Sequence, residues 1–289
     1  MNCVYCNGKL VKFRSEKTEF LFRDQMFSDE LKILSPLLTH GKCTSCGSII
    51  ATDVRMESEE KLLEIYRKLP SKYWEQIESL ESTHFFSKIE KYINPEKNKM
   101  AICDVGCGNG KFLMTLDNCW QKFGVEPSNI ANSLLETSGI SYFNGNLKDS
   151  AFQKHTMDVI TYIDVFEHLI NPLKEIEIAK EFLSSTGKLV ILTGNATSFN
   201  SKIAGRAWIY LRIIGHITVA SEQGLVNALK TKGFSKIDVF KLSHPSSASF
   251  IKWLVYLTAS KLTGSKETIL GGKRSVPLLH DHMLIIASL

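Results

Sequence analysis

Asp104-Val105-Gly106-Cys107-Gly108-Asn109-Gly110 sets one acid beside three glycines, and a second acid follows in Phe123-Gly124-Val125-Glu126-Pro127. Closely spaced glycines let a backbone approach a ligand where any side chain would collide. The acid selects the ligand. A dinucleotide site aims a helix N-terminus at pyrophosphate through the spacing G-x-G-x-x-G. Here the spacing is G-x-G-x-G, Lys111 stands in the last glycine's place, and Asp104 would repel a phosphate. A nucleotide-like ligand with net positive charge and no phosphate fits better. Glu126, at the end of the next strand, could accept hydrogen bonds from two ribose hydroxyls.

Two further groups of residues could do chemistry. Asp164-Val165-Phe166-Glu167-His168 closes an apolar run, and His216 lies in a later insert. An unperturbed imidazole titrates near neutrality, so His168 is the first candidate base and His216 the second. Asp164 would lie one helical turn before His168 and share its face. The alternative is that Glu167 and His168 tie the strand-to-helix junction by hydrogen bonds, and the sequence leaves both open. Cys3/Cys6 and Cys43/Cys46 form two Cys-x-x-Cys pairs. In a reducing compartment such pairs read as zinc ligands, and a closed four-thiolate site is structural because no position stays open for substrate. Gly8 and Gly47 follow the pairs where tight turns need them. Cys107 reads as a small space-filling residue and not a nucleophile.

These residues need elements to hold them. Met100-Ala101-Ile102-Cys103 reads as a buried strand before the glycines, and a helix over 110–119 leaves them. Strands over 121–125, 140–143, 157–163 and 188–192 then alternate with helices over 128–137 and 172–183. Such alternation predicts right-handed βαβ units, a parallel sheet, and a ligand at the carboxyl ends of the strands. Residues 1–52 form a candidate zinc module with a strand around Glu19–Phe22, and residues 53–99 form helices with an apolar stripe at Leu62, Leu63, Ile65 and Leu69. Residues 100–289 form the main domain. Within it, 194–223 interrupt the alternation with Trp208, Tyr210 and His216, as a substrate cover would. A helix over 221–232, a strand over 237–242 and a last antiparallel strand over 280–287 complete the fold. Phe250–Leu257 is apolar on most faces, which suits packing on the sheet or on a second subunit.

The glycine loop and Glu126 resemble motif I and the second-strand acid of the class I S-adenosylmethionine-dependent methyltransferases. Met157 to Pro172, with Asp164-x-x-Glu167-His168, resembles the fourth-strand signature of one branch of that superfamily. The resemblance runs from about Tyr73 to the C-terminus. It implies a Rossmann-like, mostly parallel seven-stranded α/β sheet with an antiparallel last strand. Its cofactor is S-adenosylmethionine, which carries a sulfonium and an ammonium beside a ribose. It assigns that cofactor to Asp104, Gly106, Cys107, Gly108, Gly110, Glu126, Pro127 and Ile163. Asn146 and Leu147 would flank the adenine, and Tyr73 and Trp74 would cover the methionine end. A histidine near the place of His216 also occurs in the resembling group. The cysteine pairs ahead of this core are similar to the zinc-binding front end of bacterial sugar-modifying methyltransferases.

Composition narrows the acceptor. A net charge of +5 with no dense basic tract neither requires nor excludes nucleic acid. The first residues lack the pattern of a signal peptide, and no stretch has the length of a membrane span, so the cytoplasm is the default compartment. The sugar C-methyltransferases carry a further C-terminal domain that this chain has no room for, which turns the expectation to O- or N-methylation of a sugar, glycan precursor or similar metabolite. Two other classes stand beside it. One is an RNA methyltransferase with a zinc ribbon, though Asp164-Val165-Phe166-Glu167 replaces a base-stacking Asn-Pro-Pro-Tyr motif. The other is a cofactor-binding protein without catalysis whose module docks a partner.

Overall fold

The computed structural model describes residues 1–17, 37–53, 59–68, 83–128, 138–212, 215–243 and 280–289. The readings of a strand around Glu19–Phe22, a helix over 128–137, the covering aromatics Tyr73 and Trp74, and the apolar segment Phe250–Leu257 fall outside them, save Ser128 at the helix's start. Among the described residues no helix is long and apolar enough to cross a membrane.

The main sheet contains β4 (Met100–Val105), β5 (Trp120–Glu126), β6 (Ser141–Asn144), β7 (Met157–Ile163), β8 (Leu183–Gly194), β10 (Lys236–Leu242) and β11 (His282–Ser288). Their order is β10-β11-β8-β7-β4-β5-β6. β4 pairs in parallel with β5 and β7, and β7 with β8. β11 runs antiparallel to both β8 and β10. This is the expected Rossmann-like sheet with its antiparallel last strand. The chain turns outward in opposite directions from β4, so the switch point opens at the carboxyl ends of β4 and β7.

Near-continuous apolar runs form the inner strands β7, β8 and β11, whose two faces are both covered. Neighbours in sequence point to opposite faces. Val159, Val190 and Leu284 join Phe86, Ile89 and Ile93 of α2 (Thr83–Ile93) and Leu113 of α3 (Lys111–Thr115) on one side. Ile160, Ile191 and Ile285 join Ile176 and Phe182 of α4 (Pro172–Phe182) and Leu225 and Leu229 of α6 (Glu222–Thr231) on the other. Asn171 caps α4 ahead of Pro172, and Ser221 caps α6 by accepting the Gly224 N–H at 3.0 Å. Both are favoured helix starts.

Two boundaries differ from the periodicity reading. α3 is one short helix, because Leu116 turns to extended backbone. β8 begins at Leu183, and the polar Ser184-Ser185-Thr186-Gly187 turn is absorbed as an irregularity between the Met157 and Val159 pairings.

A second, antiparallel sheet has the order β1-β2-β3-β9. β1 (Leu10–Lys17), β2 (Leu37–Cys43) and β3 (Ile49–Ala51) come from the cysteine module, and β9 (Thr218–Val219) comes from the insert. β3 pairs with β9 through Ile49↔Val219 and Ile50↔Thr218. A third apolar cluster seals that junction, joining Ile49 to Ala196, Trp208, Tyr210, Leu211 and Val219. Among the described residues, two further α-helices are α1 (Glu59–Lys68) and α5 (Phe199–Ala204).

Candidate active site

The glycine loop is built for close approach. Gly106, Gly108 and Gly110 all hold positive φ, at 75°, 54° and 78°, a region that side chains with a Cβ rarely enter. The loop is fastened to β5: the N–H groups of Gly106 and Cys107 both donate to Val125 O, at 2.7 and 3.1 Å. A Cβ on Gly106 would strike Val165 Cγ2 at 2.6 Å, whereas a Cβ on Gly108 would point into open space. That space is where a ligand can meet bare backbone. Burial drives the Cys107 thiol well above its usual pKa, so it is not a nucleophile there.

Glu126 closes the loop from below. Its Oε2 accepts the Gly108 N–H at 2.9 Å and its Oε1 accepts the Ser128 N–H at 2.8 Å. Each carboxylate oxygen has a second lone pair, so the residue can brace the loop and still receive ribose hydroxyls. Burial raises its pKa, against the two backbone donors that lower it. Asp104 is buried and accepts Thr161 Oγ1 at 2.6 Å. Pro127 follows Glu126, and Ile163 ends β7 half-buried. Asn146 begins a short 3-10 turn after β6, half-buried, with its amide 3.4 Å from Asp149. Leu147 beside it is buried in the core, so its side chain braces the turn and Asn146 presents the polar edge. The donor set suits a cationic nucleoside: two buried acids, open backbone at Gly108, and no basic side chain in the loop before Lys111.

The second half of the site lies beyond β7. Asp164 has φ of 51°, and Phe166–His168 is a single 3-10 turn. This corrects the expectation that Asp164 and His168 share a helical face. The positive φ turns Asp164 the other way, with Oδ1 3.6 Å from His282 Nε2. His282 in turn sets Nδ1 2.8 Å from Asp281 Oδ1. Burial alone would lower the His282 pKa, but Asp281 first, then Asp164 and Glu167, lift it to about 9. Sequence reasoning took His280-Asp281-His282 only as the start of a strand. An acid and a histidine entering an otherwise apolar strand were the signal that buried partners awaited them.

Glu167 takes the structural role. Its side chain is 1% exposed. Oε2 accepts from Thr193 Oγ1 at 2.8 Å and Oε1 from the Tyr210 hydroxyl at 2.5 Å. Burial first, and Glu167 second, keep that hydroxyl protonated well above its usual pKa. Tyr210 also accepts the Gly194 N–H at 2.9 Å, so Glu167 ties the ends of β7 and β8 to the insert.

His168 sets Nδ1 2.9 Å from Gly215 O. A carbonyl can only accept, so Nδ1 carries a proton in this contact. His216 is buried, its ring 4.8 Å from that of His168, with Nε2 3.9 Å from Glu167 Oε1. The two histidines named from sequence therefore come together from separate loops. One ligand atom each from Glu167, His168 and His216 lies within 4.8 Å of the others, but both carboxylate oxygens already serve the hydroxyls of Tyr210 and Thr193.

The four cysteines converge elsewhere. Their sulfurs all lie within 4.8 Å of one another, with Cys3 and Cys46 at 3.7 Å and Cys6 and Cys43 at 3.5 Å. A disulfide needs about 2.05 Å. A tetrahedral zinc site with bonds of about 2.3 Å has sulfur–sulfur edges of about 3.8 Å, so this cluster has the size to hold such an ion.

Comparison with known proteins agrees with the sheet and the loop. The family described as "Methyltransferase domain" matches residues 73–239, more than half of the chain. The ubiquinone biosynthesis O-methyltransferase of Actinobacillus pleuropneumoniae is 28% identical over 155 residues, 47% of this chain and 64% of that protein. The Cereibacter sphaeroides protein of the same name is 31% identical over 123 residues, 38% of this chain and 48% of its own. The chain thus spans less than two thirds of the length of either relative. Among solved structures, an S-adenosylmethionine-dependent methyltransferase from Thermotoga maritima superposes with a TM-score of 0.53 at 15% identity, covering 78% of this chain and 99% of its own. One from Archaeoglobus fulgidus gives 0.53 at 16%, covering 75% and 99%. With the glycine loop, Glu126 and the strand order in place, this chain belongs to the methyltransferase-domain family.

Proposed function

We propose that this chain transfers the methyl group of S-adenosylmethionine to a hydroxyl of a small-molecule acceptor of the sugar or glycan-precursor class. The cofactor, when bound, supplies a methyl already activated on a sulfonium. The chain has to hold the nucleophile in line and take its proton. Asp104, the Gly106–Gly110 backbone and Glu126 bind the cationic nucleoside. His168 receives the hydroxyl proton on Nε2, because its Nδ1–H is committed to Gly215 O. His216 stands beside it as polar lining of the acceptor side. The observation that carries this reading is the meeting of His168 and His216 just beyond the carboxyl end of β7, on the ligand side of the sheet.

A hydroxyl acceptor also agrees with the O-methyltransferase names of the aligned relatives. The sugar class rests on the likeness of the cysteine module to that of sugar-modifying methyltransferases. The four cysteines bind zinc as a structural ion, since four protein thiolates leave no position open. The test is S-adenosylhomocysteine release from labelled cofactor across a panel of nucleotide sugars, free sugars, catechols, amines and RNA. Turnover with a hydroxyl-bearing sugar supports the proposal. Turnover confined to RNA, with steep salt dependence of binding, or cofactor binding without turnover on any acceptor, overturns it.

A further inference from the structure

We infer that the cysteine module is the anchor of the acceptor side: zinc held by Cys3, Cys6, Cys43 and Cys46 fixes the segment Gly215–Ser221, with Tyr5 and Thr218 as positioning residues for His168 and His216. The inference rests on the transfer reading above for its functional meaning, though not for its structural content.

The segment is gripped from two sides. On the module side, Ala51 N–H donates to Ile217 O at 2.8 Å, within the β3–β9 pairing that follows the second cysteine pair. Tyr5, lying between Cys3 and Cys6 and itself buried, donates its hydroxyl to Thr218 O at 3.1 Å. Ser48 Oγ lies 3.2 Å from Cys46 Sγ and accepts the Ser221 N–H at 2.9 Å. Each cysteine pair thus sends one polar tie into the segment, and β3 adds a strand.

On the catalytic side, the Ile217 N–H donates to Glu167 O at 2.7 Å. Thr218 Oγ1 lies 3.1 Å from Phe166 O and 3.0 Å from Leu169 O. Gly215 O receives His168 Nδ1. The short strand β9 is therefore the layer between the metal cluster and the turn that carries His168. β9 has two residues and cannot hold itself; its position is set by what grips it. The cofactor loop is fastened separately, to Val125 and Glu126.

The Cys3–Cys46 and Cys6–Cys43 sulfurs, 3.7 and 3.5 Å apart, lose their common counter-charge when the cation leaves, and thiolates that close repel one another. The module side of the grip then loosens, and the cofactor loop does not. The whole chain would be studied under reducing conditions, before and after zinc removal by a chelator. Hydrogen exchange of peptides covering 215–221 and 166–169 would be read beside calorimetric binding of S-adenosylhomocysteine. Zinc removal is expected to speed exchange in both peptides by roughly tenfold or more, while homocysteine-cofactor affinity changes less than about twofold.

Tyr5→Phe keeps all four cysteines and guards against global unfolding. It should retain zinc, speed exchange at 215–221 roughly fivefold, and reduce turnover without changing cofactor affinity. A chain that holds no zinc, or one whose exchange at 215–221 is unaltered by zinc removal and by Tyr5→Phe, overturns the anchor. A zinc-loaded chain that takes up no S-adenosylhomocysteine overturns the transfer reading instead, and the exchange data still decide the anchor.

Discussion

Replacing Glu126 tests whether its carboxylate faces a ribose, and the structure separates that role from its brace on the loop. In the free protein Glu126 accepts two backbone N–H groups, from Gly108 and Ser128. Those bonds are in place before any ligand arrives, so they enter stability and, where ligand leaves them intact, cancel in binding. Two ribose hydroxyls would add two bonds to an ionised acceptor, each worth about 1.5–3 kcal/mol. Allowing for partial replacement by water, Glu126→Ala should weaken S-adenosylhomocysteine binding by about 2–4 kcal/mol, roughly 30- to 1000-fold. The unliganded variant should also melt lower, because two buried N–H groups lose their acceptor at about 1–3 kcal/mol each.

Calorimetry with a second ligand isolates the ribose contact. A cofactor analogue lacking the ribose hydroxyls should bind the parent chain weakly and the variant no worse, so the two losses fail to add. If the variant still discriminates between ribose and deoxyribose ligands as the parent does, Glu126 does not face the sugar. Acid pH gives an independent check. Burial raises the Glu126 pKa above its usual 4.5, so cofactor affinity should fall as pH drops through that raised value. The unliganded chain should behave oppositely. A raised carboxyl pKa means the native state holds the proton longer, and this residue's contribution to stability declines as pH rises through the window.

Three further outcomes follow from the same geometry. His168→Ala should leave S-adenosylhomocysteine affinity within about twofold while turnover drops by about 10²–10⁴; preserved single-turnover rates would return His168 to a purely structural role. Gly194→Ala would drive a methyl into the buried ring of Tyr210, costing about 1–3 kcal/mol as overpacking does, and an unshifted melting temperature would contradict the packing. His282, lifted to about 9 by Asp281 after burial is overcome, contributes stability that is full below its unfolded pKa near 6.5 and is lost as pH rises through about 9. Thermal melts from pH 6 to 10 should show that loss, and His282→Gln should remove it; identical profiles would mean the imidazole is neutral throughout.

The glycine loop and the acid that braces it were legible because they are local. One strand, one glycine turn and the end of the next strand lie close in sequence, and they are written in residue types that tolerate little substitution: glycine where φ is positive, and an acid where backbone N–H groups of the loop need an acceptor. Strand identities were legible for the same reason, since β-branched runs buried on both faces announce themselves. Boundaries were weaker where tertiary pairing overrode local chemistry. Ser184-Ser185-Thr186-Gly187 has turn residues throughout, yet β8 runs through it because Met157 and Leu183 pair across the sheet.

The acceptor half was not legible, and the reason is topological. Asp164 was expected to face His168 on a helix, but a positive φ sends it to His282, far along the chain. Thr218-Val219 is β-branched but too short to be read as a strand by itself; it becomes one because Ile49 and Ile50 lie beside it. Ile49 of the cysteine module packs with Trp208, Tyr210, Leu211 and Val219 of the insert in one buried cluster. A cysteine module whose sheet is completed by a strand of the main domain is no appendage. Its fastening and the placement of His216 are one packing problem, which fixes what a variant at either end must disturb. Substitutions at Ile49 or Val219 should alter the environment of His216, and substitutions in the glycine loop should not.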